Sequence, residues 1–527
     1  MITAYTTTES STDGVQRLPE NGIKVAIIGG GVGGLQAALE CWRKGCEVVV
    51  LEQANKLSPL GRSEAIYHNY FGTQMIITSW SFAAGDYFTI TPSALTALKE
   101  YPSMHADYHE CIYDCSIHVY TPSGRAIHST DPEWNRARIA HAAPDVNISF
   151  LKRRPVYAQM QLDQVNRLNI PVQWGEKVIS VLEREDSVVL KTASGKEITC
   201  DICIGANGIG SVIPGFETGP EIAVQDSGYA VARAAFPRSA ILDGSPAASL
   251  MKHIDVRPEF RTYVGKDIHL ILFLTPDWVA FAFTHPDYND AEESWSHVKA
   301  PADLIPYLEK ANDEWDPAVL DFIRSTPTGV VDWKLRWRDG TPQWTSERGR
   351  LVRLGDAAHA FLPTAGNGAV QALEDAVSLA ECLRIAGKKG VCQATKVHNK
   401  LRALVGSVGV GKDKAKHKLS ILQQTGFLNR EELHTADVAA IQANAQSTSN
   451  TTIGFFKIGR WVWNHNPELY ARDNYEACLA HVLEGKPFEN TNVPPGHVYH
   501  SWSLESEKKR MLAGVRSNLK ENGDWSA

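Results

Sequence analysis

Gly29, Gly31 and Gly34 follow the apolar run Val25–Ile28 in the pattern G-x-G-x-x-G, inside KVAIIGGGVGGLQAALECWRKGCEVVVLE (Lys24–Glu52). That spacing suits a pyrophosphate. The first glycine permits a tight turn, the second lets backbone approach phosphate, and the third lets a helix pack closely on its strand. A second β-type run, Val48–Leu51, ends in Glu52, where a carboxylate can accept hydrogen bonds from an adenosine ribose. Strand, glycines, helix, strand and terminal acid together point to dinucleotide binding, with NAD and FAD both open.

A later stretch, RLVRLGDAAHAFLPTAGNGAVQALEDA (Arg350–Asp375), narrows the ligand. Leu351–Leu354 reads as a strand, and Asp356 follows it in Gly355-Asp356-Ala357-Ala358-His359. A carboxylate there can hold a ribityl hydroxyl. Gly366-Asn367-Gly368-Ala369 then opens a helix, whose free N–H groups and positive dipole end suit a phosphate or a flavin carbonyl. Between the two stretches lies DICIGANGIGS (Asp201–Ser211). In this order and spacing the three describe a flavin-binding oxidoreductase.

Together these motifs resemble those of the single-component, group A FAD-dependent aromatic hydroxylases, particularly the salicylate-hydroxylase-like fungal monooxygenases, over roughly residues 24–400. The resemblance implies an α/β fold: a Rossmann-like FAD-binding domain of the glutathione-reductase/aromatic-hydroxylase type, an inserted β-sheet substrate domain and C-terminal helices. It implies that Gly29, Gly31, Gly34 and Glu52 bind the ADP half of FAD and that Asp356 meets the ribityl and pyrophosphate region. Gly368 and Ala369 would sit by the isoalloxazine. Arg154, in FLKRRPVYAQM, most resembles the family's flavin-contacting arginine, with Arg153 as its rival, and Ala84-Gly85 its short glycine turn. NADPH or NADH is implied as electron donor and O₂ as co-substrate, with oxygen passing from a C4a-hydroperoxyflavin to an electron-rich carbon.

Two departures from the family pattern stand out. Asn207 occupies the Ala206-Asn207-Gly208 motif where the family carries an aspartate, which removes a charge associated with flavin and nicotinamide handling. Arg62–Ala83 (RSEAIYHNYFGTQMIITSWSFA) intervenes between Leu60-Gly61 and Ala84-Gly85. An active-site flap, a surface loop and a retained intron are all open readings of it. Ala403–Leu419, with its VGSVGVGK run, similarly interrupts a helical stretch.

The elements that must position these groups divide the chain. Residues 1–22 read as a disordered lead-in. Residues 23–100, 150–215 and 340–400 form a discontinuous FAD-binding domain, 101–149 and 216–339 a substrate domain, 401–500 a C-terminal helical region and 501–527 a polar tail. In the substrate domain, Tyr229–Phe236, Arg261–Val264, Ile268–Leu274 and Val279–Thr284 read as strands separated by Pro, Gly and Asp breaks. This sheet is expected to cover the flavin's reactive face. Arg233 could hold a phenolate or carboxylate bidentately, and Tyr263 could add a second hydrogen bond.

Composition excludes several classes. A chain of 527 residues with 43% hydrophobic content can bury a large core in two or more domains. A net charge of −7 argues against a nucleic-acid surface. His269–Phe283 is too short and too interrupted for a membrane span, and MITAYTTTESSTDGVQ is no secretory signal. The nine cysteines suggest no disulfide or metal framework, and Cys200-x-x-Cys203 reads as structural. The expected protein is a cytoplasmic monomer or homodimer without a metal. Its expected reaction is hydroxylation of an aromatic, phenolic or polyketide-like molecule in fungal secondary metabolism. The alternatives are epoxidation of a meroterpenoid or indole-terpenoid isoprenoid chain, and a flavoprotein oxidase or dehydrogenase.

Overall fold

Four consecutive apolar residues bounded by charge and glycine can be buried on both sides only in a covered parallel sheet, and Val25–Ile28 do this in strand β1 (Lys24–Ile28). The computed structural model describes residues 10–57, 87–110, 112–132, 152–209, 213–218, 225–288, 290–292, 298–311, 314–337, 343–359, 361–402, 418–434, 459–498, 500, 502–515, 519 and 522–525. Helix α1 (Val32–Arg43) carries the chain from β1 to its parallel neighbour β2 (Glu47–Glu52).

Later returns of the chain complete the sheet. Its order is Leu351–Arg353, Ile202–Gly205, β1, β2, Val172–Trp174, and every pairing is parallel. Alternate residues serve opposite faces. Val25, Ile27, Val48 and Val50 pack toward α1 and two later helices, α3 (Arg154–Arg167) and α6 (Gly368–Ala386). Ala26, Ile28 and Leu51 pack against a three-stranded antiparallel layer formed by Val178–Glu183, Val188–Thr192 and Glu197–Cys200.

An eight-stranded sheet forms the second layer. Its central strands are β7 (Gln225–Pro237), β8 (Glu259–Gly265), β9 (Ile268–Leu274) and β10 (Trp278–Pro286), in the spatial order β7-β10-β9-β8. All four overlap the strands expected from sequence. One face of this sheet is closed by α4 (Ile305–Ala311) and α5 (Pro317–Arg324), whose Leu308, Val319, Phe322 and Ile323 are buried against it. The other face bounds the cavity described below.

Three sequence-based boundaries need correction. Residues 10–22 are not a disordered lead-in: Ser10–Thr12 and Val15–Arg17 form a hairpin in which Val15 is fully buried. Arg17 donates to the carbonyls of Trp42 and Cys46 at 3.1 and 3.2 Å, so the hairpin clasps the α1–β2 turn. Its polar composition gave no sign of that partner. Residues 102–110 form helix α2 (Pro102–Glu110), whose Met104 and Tyr108 pack in the core around the parallel sheet rather than with the eight-stranded sheet. Among the following residues, Ser116–Tyr120 and Ala126–Thr130 join the eight-stranded sheet.

The segment after residue 501 is also more than a polar tail. Leu504–Leu512 is a helix, and Trp525, 2% exposed, meets Trp461 edge-on at 5.6 Å. Finally, the C-terminal region does more than pack on the main body. Helix α8 (Lys418–His434) reaches the cavity itself. Arg62–Ala83, Ala84-Gly85 and residues 403–417 lie outside the described residues.

Candidate active site

The glycine turn between β1 and α1 has the geometry its spacing implies. Gly29 adopts φ +107°, and a Cβ there would lie 2.5 Å from the Ala206 carbonyl oxygen. A Cβ on Gly34 would lie 2.0 Å from the Gly29 carbonyl oxygen, so only glycine lets α1 start this close to its strand. Gly31 differs: among the described residues, a Cβ there would meet nothing within 4 Å. The turn is therefore tight on its protein side and open on its outer side, as a pyrophosphate would require. Glu52, at the end of β2, accepts the Gly30 N–H at 2.6 Å and the Ala54 N–H at 2.8 Å. Asn207 stands against the same turn, its Cα 3.1 Å from the Cβ position at Gly29. These residues fit the ADP half of FAD.

Asp356 and the start of α6 come together at the other end. Asp356 follows the edge strand Leu351–Arg353, and a Cβ on Gly368 would be 4.0 Å from its Oδ1. Asn367 precedes α6 without capping it by its side chain, which leaves first-turn N–H groups to be met from outside the helix. Asp356, Gly368 and Ala369 line a cavity of about 330 Å³.

The opposite wall is the free face of the eight-stranded sheet. Residues directly opposed in adjacent strands share a face. Arg233 of β7 is paired with Ala282 of β10, Ala282 with Ile271 of β9, and Ile271 with Thr262 of β8. All four line the cavity, forming one row across the sheet. Val231 and His269 lie on a second row, and Ala280, Phe273 and Phe260 on a third. Arg233 also stands 5.8 Å from the Trp333 ring centre, on the neighbouring strand Val330–Trp337. It is the one lysine or arginine among the described lining residues.

Tyr263 is not in this wall. As the neighbour of Thr262 on β8 it faces the other way, where it is 1% exposed and stacks on Tyr120 with ring centres 5.2 Å apart. Burial pushes its phenol up to about 12. The expectation that it would meet substrate fails by one residue of strand register. Arg154 begins α3 as expected, but its side chain and that of Arg153 lie outside the described residues, as do Ala84 and Gly85.

Sequence reading missed three features. The first is Thr262, whose hydroxyl is buried without a hydrogen-bond partner among the described residues. The second is His269, whose Nδ1 lies 2.9 Å from His434 Nε2 at the end of α8. Burial, with the Arg430 charge nearby, holds His269 down at about 3. Leu422, Thr425, Asn429 and Leu433 of the same helix also line the cavity, and nothing local in the sequence reports a contact so remote.

The third is a buried charge cluster beneath α6. Asp375 accepts the Gly355 N–H at 3.1 Å and His359 Nε2 at 2.6 Å, tying the Asp356 loop to the helix. Arg402, ending α7 (Val391–Arg402), reaches Asp375 at 2.9 Å and Glu374 at 2.7 Å. Lys418, opening α8, completes it at 2.9 Å from Glu374. Burial alone would raise the Glu374 carboxyl, but Lys418 and Arg402 bring it down to about 2. Burial lowers Lys418 to about 8. Cys200 and Cys203 are buried free thiols, with Cys200 pushed up to about 12 by burial, which suits a structural role.

Comparison with known proteins follows the same lines. A family model of NAD(P)-binding Rossmann-like domains matches residues 27–82. The FAD-dependent monooxygenase fsr3 of Gibberella fujikuroi is 35% identical over 97% of this chain and 91% of its own length. The FAD-dependent monooxygenase mdpD of Emericella nidulans is 31% identical over 99% of this chain and 95% of its own. Among solved structures, CtdE in complex with FAD and a substrate superposes with a TM-score of 0.72 at 23% identity, covering 88% of this chain and all of that one. A salicylate hydroxylase substrate complex gives 0.57 at 20% identity, covering 86% and 98%. At these identities the structural matches show the fold.

Proposed function

The chain belongs to the FAD-dependent monooxygenases, and from that premise we propose that it hydroxylates an electron-rich phenolic or polyketide-like small molecule in fungal secondary metabolism, with NADPH or NADH as electron donor. One observation carries the reading. Arg233 on the sheet wall and Asp356, Gly368 and Ala369 on the opposite wall bound the same cavity. Bound FAD would supply the acceptance of hydride, the activation of O₂ and the delivery of one oxygen atom.

The chain's own residues must do the rest. The Gly29–Gly34 turn and Glu52 hold the ADP half, Asp356 takes a ribityl hydroxyl, and the α6 start faces the isoalloxazine edge with N–H groups. Arg233 holds a phenolate oxygen, which keeps the ring electron-rich at the carbons that receive oxygen. The floor of Ala282, Ile271, Phe273 and Phe260 excludes water from that encounter and keeps the ring in place.

The test is NADPH-dependent O₂ consumption by the FAD-loaded enzyme against a panel of phenols, with product mass measured alongside. A gain of one oxygen atom on a phenolic ring supports the reading. Oxygen placed on an isolated alkene would redirect it to epoxidation, and substrate oxidation without oxygen incorporation to an oxidase.

A further inference from the structure

The row Arg233–Ala282–Ile271–Thr262 has a polar group at each end and an apolar middle. Three strand spacings put the end Cα atoms roughly 14 Å apart. The two middle residues offer a smooth strip with no hydrogen-bonding side chain. At the far end, Thr262 is 0% exposed, lines the cavity and has a hydroxyl without a hydrogen-bond partner among the described residues. A buried hydroxyl that the protein itself leaves unpaired is costly, so a hydroxyl kept at this position on the cavity face calls for a partner from the cavity.

We infer that Thr262 is a specificity-determining residue, which hydrogen-bonds an oxygen at the far end of an elongated, flat substrate whose near end Arg233 holds. The ligand class is a fused-ring aromatic with an acidic hydroxyl at one end and a hydroxyl or carbonyl at the other. A body of two or three fused rings spans the apolar strip once the arginine side chain and two hydrogen bonds have taken their share of the distance. A ring bearing oxygen at one end only would satisfy Arg233 and leave Thr262 without a partner. This inference rests on the reading that the cavity takes the substrate.

The experiment uses the FAD-loaded full chain and two probes, 2-hydroxyanthracene and 2,6-dihydroxyanthracene, which differ only in the distal hydroxyl. Dissociation constants are read from the perturbation of the flavin spectrum. The parent enzyme is expected to bind the dihydroxy probe about tenfold more tightly, the gain from one neutral hydrogen bond. Thr262→Val, nearly isosteric, removes that preference while leaving the monohydroxy probe within about twofold, and Thr262→Ser keeps it. Equal flavin content in all three shows that the fold is intact. A preference that survives in Thr262→Val, or is absent from the parent enzyme, overturns the assignment of Thr262 and leaves the Arg233 site standing. Failure of both probes to perturb the flavin overturns this inference and the phenol reading of the cavity together.

Discussion

His269 Nδ1 and His434 Nε2 lie 2.9 Å apart, so one neutral imidazole donates to another across the boundary between strand β9 and the end of helix α8. Tyr229 lies beside His434 at 4.9 Å between ring centres, and the Arg430 guanidinium stands 4.5 Å from the Tyr229 ring centre. This small polar junction fastens to the sheet a helix that supplies part of the cavity wall. Its two imidazoles are kept uncharged. Burial first, then neighbouring charge, brings His269 to about 3 and His434 to about 2.

An acid sensitivity follows from that pair. Unfolded histidines take up protons near pH 6.5. Between about pH 3 and 6.5 the unfolded chain therefore binds more protons than the native one, and native stability rises with pH across this window. The pair's contribution is complete above about pH 6.5 and is lost progressively on acidification. His434→Phe removes one titrating group and should flatten the slope of unfolding free energy against pH between 4 and 6.5. Urea unfolding at a series of pH values measures it, and an unchanged slope would show that the pair is protonated in the fold.

Removal of Arg402 should damage flavin binding from a distance. Arg402 is 3% exposed and pairs with both Glu374 and Asp375, which are fully buried. Arg402→Met leaves two buried carboxylates without their guanidinium, held by Lys418 and Gln371 on Glu374 and by His359 and the Gly355 N–H on Asp375, a loss of about 3–5 kcal/mol by the usual cost of breaking a buried pair. Since Asp375 also fixes the Gly355 N–H and His359, the variant should melt earlier and hold FAD more weakly. Thermal melts with and without added FAD separate the two effects.

The glycine turn yields a contrast within one motif. Gly34→Ala pushes a methyl into the Gly29 carbonyl oxygen and should destabilise the protein outright. Gly31→Ala meets no atom of the described residues within 4 Å, so the apoprotein's melting point should stay within about 2 °C, roughly the shift for half a kcal/mol in a large domain. Its FAD affinity should nevertheless fall at least tenfold, because the methyl occupies the space a pyrophosphate needs. A Gly31→Ala protein with unaltered FAD affinity would move the pyrophosphate elsewhere.

What could be read from sequence here was local. The turn at Gly29–Gly34, the carboxylate of Glu52 and the helix opening at Gly368 are set by neighbours a few residues away, and their geometry matches their spacing. Arg233 could be picked out as the one charged residue in the apolar run Tyr229–Phe236 of strand β7, and it lines the cavity. Tyr263 was not, because the face a residue takes depends on the register of its whole strand, and Thr262 holds the inward position. The hairpin's grip on Trp42, the pairing of His269 with His434 and the cluster around Arg402 all join residues far apart in the chain. Each involves polar residues that, by composition, would be expected at the surface.

The sharpest test of the site sets Arg233 against Tyr263, which lie on opposite faces of one sheet. Arg233→Ala should keep FAD, since the residue stands on the wall across from Asp356, Gly368 and Ala369. Product formed per NADPH consumed should fall at least about a hundredfold, the ~3 kcal/mol expected for a lost charge-assisted contact. Arg233→Lys should recover only part of that, because a point charge cannot reproduce a planar, two-pronged donor. Tyr263→Phe, by contrast, alters a ring packed under α4 and α5 and should leave coupling within about twofold. Flavin absorbance and product yield, measured on the same samples, decide the matter. Coupling lost in Tyr263→Phe and kept in Arg233→Ala would mean that the substrate does not lie on the Arg233 face of this sheet.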